Sequence, residues 1–416
     1  MIQTLEVRLA TPLAASDPTT PSPSASVTPT EITVGHLTNL PDDSTVFAFA
    51  PEYRERTDRP VLSQSFLADT GELLDTHMHA RRLVPPFFSN LLPEGGMRTI
   101  IANHLNVSRD RDFPLLAYLG GDLVGAVTLN PSEPLSPVAG DALTFSLPGV
   151  QLKLSALLTE ADALTIPVHG NGGDWIVKVS SGAYPGLTEN EYSMLDLARR
   201  SGITVPEIKL VSSSSITGVP AEFASGGPAF AIRRFDRTSD GRRTHVEDFN
   251  QAFAQFAHDK YRNHTYGDIT RLLQRRAGFI HARDFVRRVT FNAMIGNGDM
   301  HLKNISMIYP NGHDAQLSPA YDYVSTLVYP GLDHRLALSF GESKDTDIYI
   351  DDRVRRFART AELPFRIVAR DIAATIERVR SAWLDATDLP LLDEHRERIG
   401  THILAYADAA TAARCT

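Results

Sequence analysis

Three residue positions suggest a chemistry before any element is assigned. The stretch "MIGNGDMHLKN" places Asp299 five positions ahead of Asn304, and "LSPAYDYVST" carries a further acid, Asp322, beyond two strand-like runs. Phosphoryl transfer needs an acceptor for the attacking hydroxyl's proton, and hard oxygen ligands for a divalent cation that bridges phosphates. Protein kinases meet these needs with an Asp, an Asn five positions later and a more distant Asp. On that pattern Asp299 is the base or acceptor-orienting residue, and Asn304 and Asp322 hold Mg²⁺. Lys303 reaches a transferred phosphate. Taken alone the spacing is common, and a glycine-flanked turn capping a strand is its usual meaning. The crowding of His301, Lys303 and Asn304 into one loop shifts the balance toward chemistry. His301 reads as a hydrogen-bonded strut at the nucleotide site rather than as a metal ligand.

Elements upstream must position an anion-binding lysine. Lys178 lies inside the apolar run "WIVKVS", where an ammonium must find an anion or bear the desolvation cost. ATP phosphate and a helix carboxylate would both satisfy it; a snorkelling edge-strand lysine is the plainer alternative. Glu191 shares a helix face with Leu195 and Ala198 and is the candidate partner. Glu189 is the competitor, or simply favours the helix N-terminus. In "FSLPGVQLKLSAL", Gly149 permits close backbone approach to phosphates, and Gln151 and Lys153 alternate on the strand that follows. There is no Walker A pattern and no G-x-G-x-x-G, and "HGNGGDW" reads as a hairpin. The chain has only six lysines, and Lys153, Lys178 and Lys303 all fall at this candidate site.

The bulk properties frame these residues. The 416 residues are long for one domain. The formal net charge of -9 gives the surface as a whole no invitation to nucleic acid. The one cysteine, Cys415, allows no intrachain disulfide, which fits a reducing, cytoplasmic setting. No apolar run is long enough to span a bilayer, and the N-terminus lacks a signal-peptide pattern. The pattern predicts an α+β chain: a small β-rich N-terminal domain, then a two-lobed kinase-like fold with a β-rich N-lobe and a helical C-lobe. The expected limits are 1–135, with a Pro/Ser/Thr-rich flexible insertion at about 11–31, then 141–236 and 237–416.

The motifs "NLLPEGG", "LGGDLVGAVTL", "SLPGVQLK", "TENEYSMLDLARRSGITVP", "AIRRFDR", "IGNGDMHLKN" and "LSPAYDYVST" occur in one order along nearly the whole chain. In this the chain resembles HipA, the serine/threonine kinase toxin of bacterial HipBA toxin–antitoxin modules. The resemblance implies that Asp299 is catalytic, that Asn304 and Asp322 bind Mg²⁺, and that Lys178 contacts ATP phosphate. It implies an adenine hinge at the backbone of Arg233 and Phe235, with Asp236 near the ribose. It also implies inhibitory autophosphorylation at Ser146, where added charge would oppose nucleotide phosphate. Glutamyl-tRNA synthetase is the implied protein substrate. The implied partner is a HipB-like helix-turn-helix antitoxin, through which DNA is met indirectly. The departures are the N-terminal insertion, a short Lys153–Lys178 segment, and Arg233 where Glu is familiar. None removes a catalytic residue.

Two other readings stay open. "GDMHLKN" also resembles the loop of aminoglycoside and choline kinases, which phosphorylate small hydroxyl compounds. A catalytically silent module that only binds an antitoxin and DNA is the other.

Overall fold

The computed structural model describes residues 3–11, 31–74, 78–132, 152–158, 164–165, 173–179, 184–219, 227–238 and 241–415. Nearly all of the expected insertion, and Ser146, Gly149 and Gln151, lie outside these residues.

The chain begins with a five-stranded antiparallel sheet. Strands β1 (Gln3–Ala10), β2 (Glu31–Asn39), β3 (Ser44–Phe49), β4 (Met78–Arg81) and β5 (Val127–Pro131) pair in the order β4-β3-β2-β1-β5. Alternation along β1 buries Leu5, Val7 and Leu9 on one face. Short helices α1 (Pro51–Glu55), α2 (Pro86–Ser89), α3 (Gly95–His104) and α4 (Asp112–Leu119) supply the other side of the core. Its centre is aromatic: Phe47, Phe66, Phe87 and Phe88 are fully buried, and Phe87 meets Phe88 edge to face with centroids 5.1 Å apart. The "GDLVGAVTL" run pairs as a strand only from Val127 on. Gly125 at φ 78° breaks the extension, and its N–H turns instead to Asp236 at 2.8 Å.

A second five-stranded sheet follows: β6 (Leu152–Leu158), β7 (Leu164–Thr165), β8 (Trp175–Val179), β9 (Ile208–Ser212) and β10 (Pro228–Arg233), ordered β7-β6-β8-β10-β9. Helix α5 (Leu187–Arg200) packs on β9 and β10. The rest is mostly helical. Strands β11 (His245–Asp248), β12 (Ser306–Tyr309) and β13 (Gln316–Leu317) form a small sheet. Around it lie α6 (Phe249–Ala252), α7 (Tyr266–Arg276), α8 (Phe279–Ile295), α9 (Asp351–Ala361), α10 (Phe365–Asp385) and α11 (Asp393–Cys415). The buried helix α8 packs against α7, α10 and α11. One apolar core runs from α5 and β10 through α8 into α11. The architecture is α+β, with a β-rich start and a helical end.

The N-terminal sheet unit is joined to the rest by buried polar contacts. Glu247 of β11 accepts from Ser63 Oγ at 2.6 Å and from the Gln64 N–H at 3.0 Å, and also from the Tyr309 hydroxyl. His245 Nε2 meets the Leu62 carbonyl at 2.7 Å, and Asn250 donates to Asn90 at 2.9 Å.

Candidate active site

Lys178 is buried on β8, which lies between β6 and β10, so it has no sheet edge from which to snorkel. The strand register sets Lys153 of β6 on one side of it and Phe230 of β10 on the other. Two lysines directly opposite on antiparallel strands repel, and the pair calls for an anion. Asp322 is that anion here: it bonds Lys178 and lies 3.6 Å from Lys153 Nζ.

Helix α5 brings the second carboxylate. It starts after Gly186 at φ 65°, and its inward face buries Glu191 together with Leu195 and Ala198. Glu191 accepts a bond from Lys178. Glu189 stays in the first turn, where the Thr188 hydroxyl donates to it at 2.7 Å. Burial pulls the Lys178 ammonium down, but Asp322 and Glu191 outweigh it, and the net shift is well upward. Burial also works against the Asp322 carboxylate, yet Lys153 and Lys178 hold it far below the usual range. Glu191, dominated by burial, is shifted up.

Asp322 has φ 56°, in the left-handed region that residues other than glycine seldom occupy. Such a conformation persists only where its surroundings over-determine it, and functional sites are where it concentrates.

The loop after α8 is built on glycine and asparagine. Gly296 caps the helix at φ 64°, and a Cβ there would lie 2.3 Å from Leu327. A Cβ on Gly298 would lie 2.4 Å from the Asp333 carbonyl. Buried Asn297 donates to Asn292 Oδ1 at 2.7 Å and accepts the Asp299 N–H at 2.9 Å, which fixes the backbone of the acid. Asn304 Nδ2 donates to the Asp299 carbonyl at 2.9 Å. That bond orients the amide through one of its two N–H donors, and its oxygen is the end suited to a hard cation. The Asp299 carboxylate is half exposed and accepts the Tyr261 hydroxyl. Tyr321, adjacent to Asp322, donates to the Lys303 carbonyl at 3.1 Å and ties the two loops together.

Residues 145–386 match the HipA-like C-terminal domain, and residues 25–130 match the HipA N-terminal domain. The chain belongs to the HipA family. It is 42% identical over 383 residues to "Putative kinase Y4dM" of Sinorhizobium fredii, covering 89% of this chain and 93% of that one. It is 24% identical over 363 residues to the serine/threonine-protein kinase toxin HipA of Shewanella oneidensis, covering 76% and 80%. The fold matches the Shewanella HipA solved with HipB and operator DNA: TM-score 0.72, 21% identity, 92% of this chain and 98% of that one. It is a kinase-like HipA fold.

In this HipA-family site Lys153, Lys178, Glu191 and Asp322 form one cluster, and Asp299, His301 and Asn304 a second. At the expected hinge, the Arg233 N–H is taken by the Glu207 carbonyl at 2.8 Å. The Phe235 N–H bonds no other backbone group among the described residues, and its ring lies 5.7 Å from that of Tyr321.

Three further expected residues have the following surroundings. Asp236, expected near a ribose, is buried at the junction with the N-terminal unit. Arg234, Arg237 and the Gly125 N–H engage its carboxylate, which leaves it committed to that joint. Lys303, expected to reach a phosphate, bonds the Asn90 carbonyl at 3.1 Å and Glu94 at 3.0 Å. His301, expected as a hydrogen-bonded strut, has a buried side chain whose Nδ1 has no partner and whose Nε2 is 3.9 Å from Asp299. Burial pulls its pKa down to about 4, so the ring is neutral at pH 7.

A magnesium–nucleotide complex fits these residues. The candidate donors are hard oxygens on Asn304 and on Asp322, the latter already bonded by Lys178, and Nδ1 of the buried His301 has no partner. Among the described residues no group of three or more His, Cys, Asp or Glu is placed to hold a metal. Magnesium that takes its remaining ligands from phosphates and water needs no such group. Among the same residues no helix is long and apolar enough to cross a membrane.

Sequence reasoning missed Tyr261, Asn297 and Glu94. Asn297 sat in plain view between two glycines. Tyr261 and Glu94 approach the loop from distant segments and carry no local signal.

Proposed function

We propose that this chain is an ATP- and Mg²⁺-dependent protein kinase that phosphorylates serine or threonine and serves as the toxin of a toxin–antitoxin pair. The observation that carries this reading is the opposed pair Lys153 and Lys178, with Asp322 between them and Asp299 on the adjoining loop. Two cations set side by side in a sheet suit a polyphosphate.

The proposed roles are as follows. Lys178, steadied by Glu191, would hold phosphate oxygens, with Lys153 beside it. Asp322 and Asn304 would hold magnesium, whose charge offsets that of the bridging phosphates. Asp299 would take the acceptor hydroxyl's proton as the new oxygen–phosphorus bond forms and the bond to ADP breaks. The Arg233 carbonyl and Phe235 N–H would meet the adenine. Limits of 1–135, 141–236 and 237–416 are proposed for the three units.

The finer reading rests on the family. The proposed substrate is a component of translation, glutamyl-tRNA synthetase being the first to try. The proposed restraint is autophosphorylation at Ser146. The proposed partner is a HipB-like antitoxin that brings DNA with it, in the cytoplasm.

The test uses purified wild type and Asp299→Asn with labelled ATP, Mg²⁺ and a lysate, and phosphate is mapped by mass spectrometry. Label on Ser146 and on a lysate protein, lost in the variant by about 10²-fold or more, supports the reading. Label that persists in the variant overturns the assignment of Asp299. No protein label despite ATP binding would point to a small-molecule kinase or a silent binding module.

A further inference from the structure

Glu94 belongs to the "NLLPEGG" turn of the N-terminal unit, at the N-cap of α3. Its carboxylate bridges two lysines of the helical region. Oε2 is 2.9 Å from Lys260 Nζ, and Oε1 is 3.0 Å from Lys303 Nζ. Burial would raise this acid, but Lys303 and Lys260 bring it down to about 2. The Asn90 carbonyl, from the same turn, takes Lys303 Nζ as well at 3.1 Å.

Both lysines connect to the proposed reacting groups through a neighbouring tyrosine. Lys303 lies between His301 and Asn304, and its carbonyl accepts from Tyr321, the neighbour of Asp322. Lys260 precedes Tyr261, whose hydroxyl bonds Asp299. The Lys260 carbonyl accepts the Leu302 N–H at 3.2 Å, inside the catalytic loop. The two segments flanking Asp299 therefore meet at one carboxylate from another unit. The turn is itself pinned: Asn90 Nδ2 donates to the Gln255 carbonyl at 2.7 Å and its Oδ1 accepts from Asn250 at 2.9 Å.

We propose that Glu94 is a positioning residue, through which the N-terminal unit holds the catalytic loop in its working register. The inference rests on the kinase reading for its catalytic consequence, though not for its structural one. It gives the N-terminal unit a direct part in the reaction: whatever shifts its turn shifts the loop. A loss of positioning lowers the rate of transfer while leaving nucleotide affinity in place, because Glu94 bonds neither Lys178 nor Asp322.

The experiment uses the full chain, wild type and Glu94→Gln, with two readouts. The first is amide hydrogen exchange in peptides covering 296–305, where the Leu302 and Asn304 N–H groups are bonded, with β1 and β2 as controls. The second is steady-state transfer at varied ATP. We expect faster exchange in 296–305 alone, with kcat about 10-fold lower and KM for ATP within about 2-fold of wild type. In the Lys303→Gln background, Glu94→Gln should do much less, since the pair acts as one unit. Unchanged exchange at 296–305 would overturn the proposal, as would a rise spread equally over β1 and β2. Local exchange that rises in a protein whose wild type transfers no phosphate would keep the brace and sink the kinase reading.

Discussion

The molecule contains two five-stranded antiparallel sheets of opposite character. The first turns a face of Leu5, Val7, Leu9 and clustered phenylalanines into its core. The second sets Lys153 and Lys178 across from one another in its middle and anchors them with carboxylates from α5 and from the segment carrying Asp322. A sheet needed only for stability would not place opposed lysines there, because the desolvation of buried ions tends to match or exceed their mutual attraction. On the proposed reading the second sheet is the one that meets the nucleotide, and the first is a platform.

The sharpest way to break this comparison is Lys178→Met. Transfer should fall by about 10²-fold or more, read as initial rate with labelled ATP. Stability should fall too, by about 3–5 kcal/mol in urea unfolding, because Glu191 and Asp322 are left without their buried cation. Adding Glu191→Leu should recover part of that stability and none of the activity; recovery of activity would refute the assignment. The platform should show the reverse. Phe47→Ala should cost about 3–5 kcal/mol of stability through its cavity, with ATP affinity of the folded fraction unchanged by calorimetry.

A smaller effect tests the seam between the platform and the rest. Burial brings His245 down to about 4 from an ordinary value of 6.5, so the unfolded chain binds the proton more readily. Its contribution is complete above pH 6.5 and is lost as pH falls toward 4. Between pH 7 and pH 5 that is about 2 kcal/mol. His245→Gln should flatten this part of a denaturation–pH profile; an unchanged slope would show that another group sets it. The smallest expected effect is that of Lys153→Met, whose side chain is half exposed. KM for ATP should rise about 10-fold, roughly 1.4 kcal/mol, with little change in unfolding midpoint.

The α+β class was legible because period-2 runs such as "LEVRLA" and the helical spacing of "TENEYSMLDLARR" each agree with their tertiary surroundings. Helical spacing also aimed Glu191 inward, where it meets Lys178. What stayed hidden came from long-range contacts. Nothing in the sequence set Glu94, more than two hundred positions earlier, beside Lys303. Nor did the sequence show that Gly125 and two neighbouring arginines meet the Asp236 carboxylate. A loop residue's neighbours in space decide where a charge is spent, and a single sequence does not give them. In "GDLVGAVTL" the strand starts only at Val127 for the same reason, since Gly125 turns toward Asp236.

The way Gly296 is packed bears on when the centre can exist during synthesis. The Gly296 carbonyl accepts from Thr326, the Gly298 N–H donates to Thr326, and Asn190 of α5 holds Ser325. The loop carrying Asp299 is therefore completed by residues that leave the ribosome after it, and by a helix that leaves long before. A fragment ending at 310 should bind no nucleotide in a calorimeter, while the full chain does. On the proposed reading, a nascent chain of this protein stays inert until its final third has emerged.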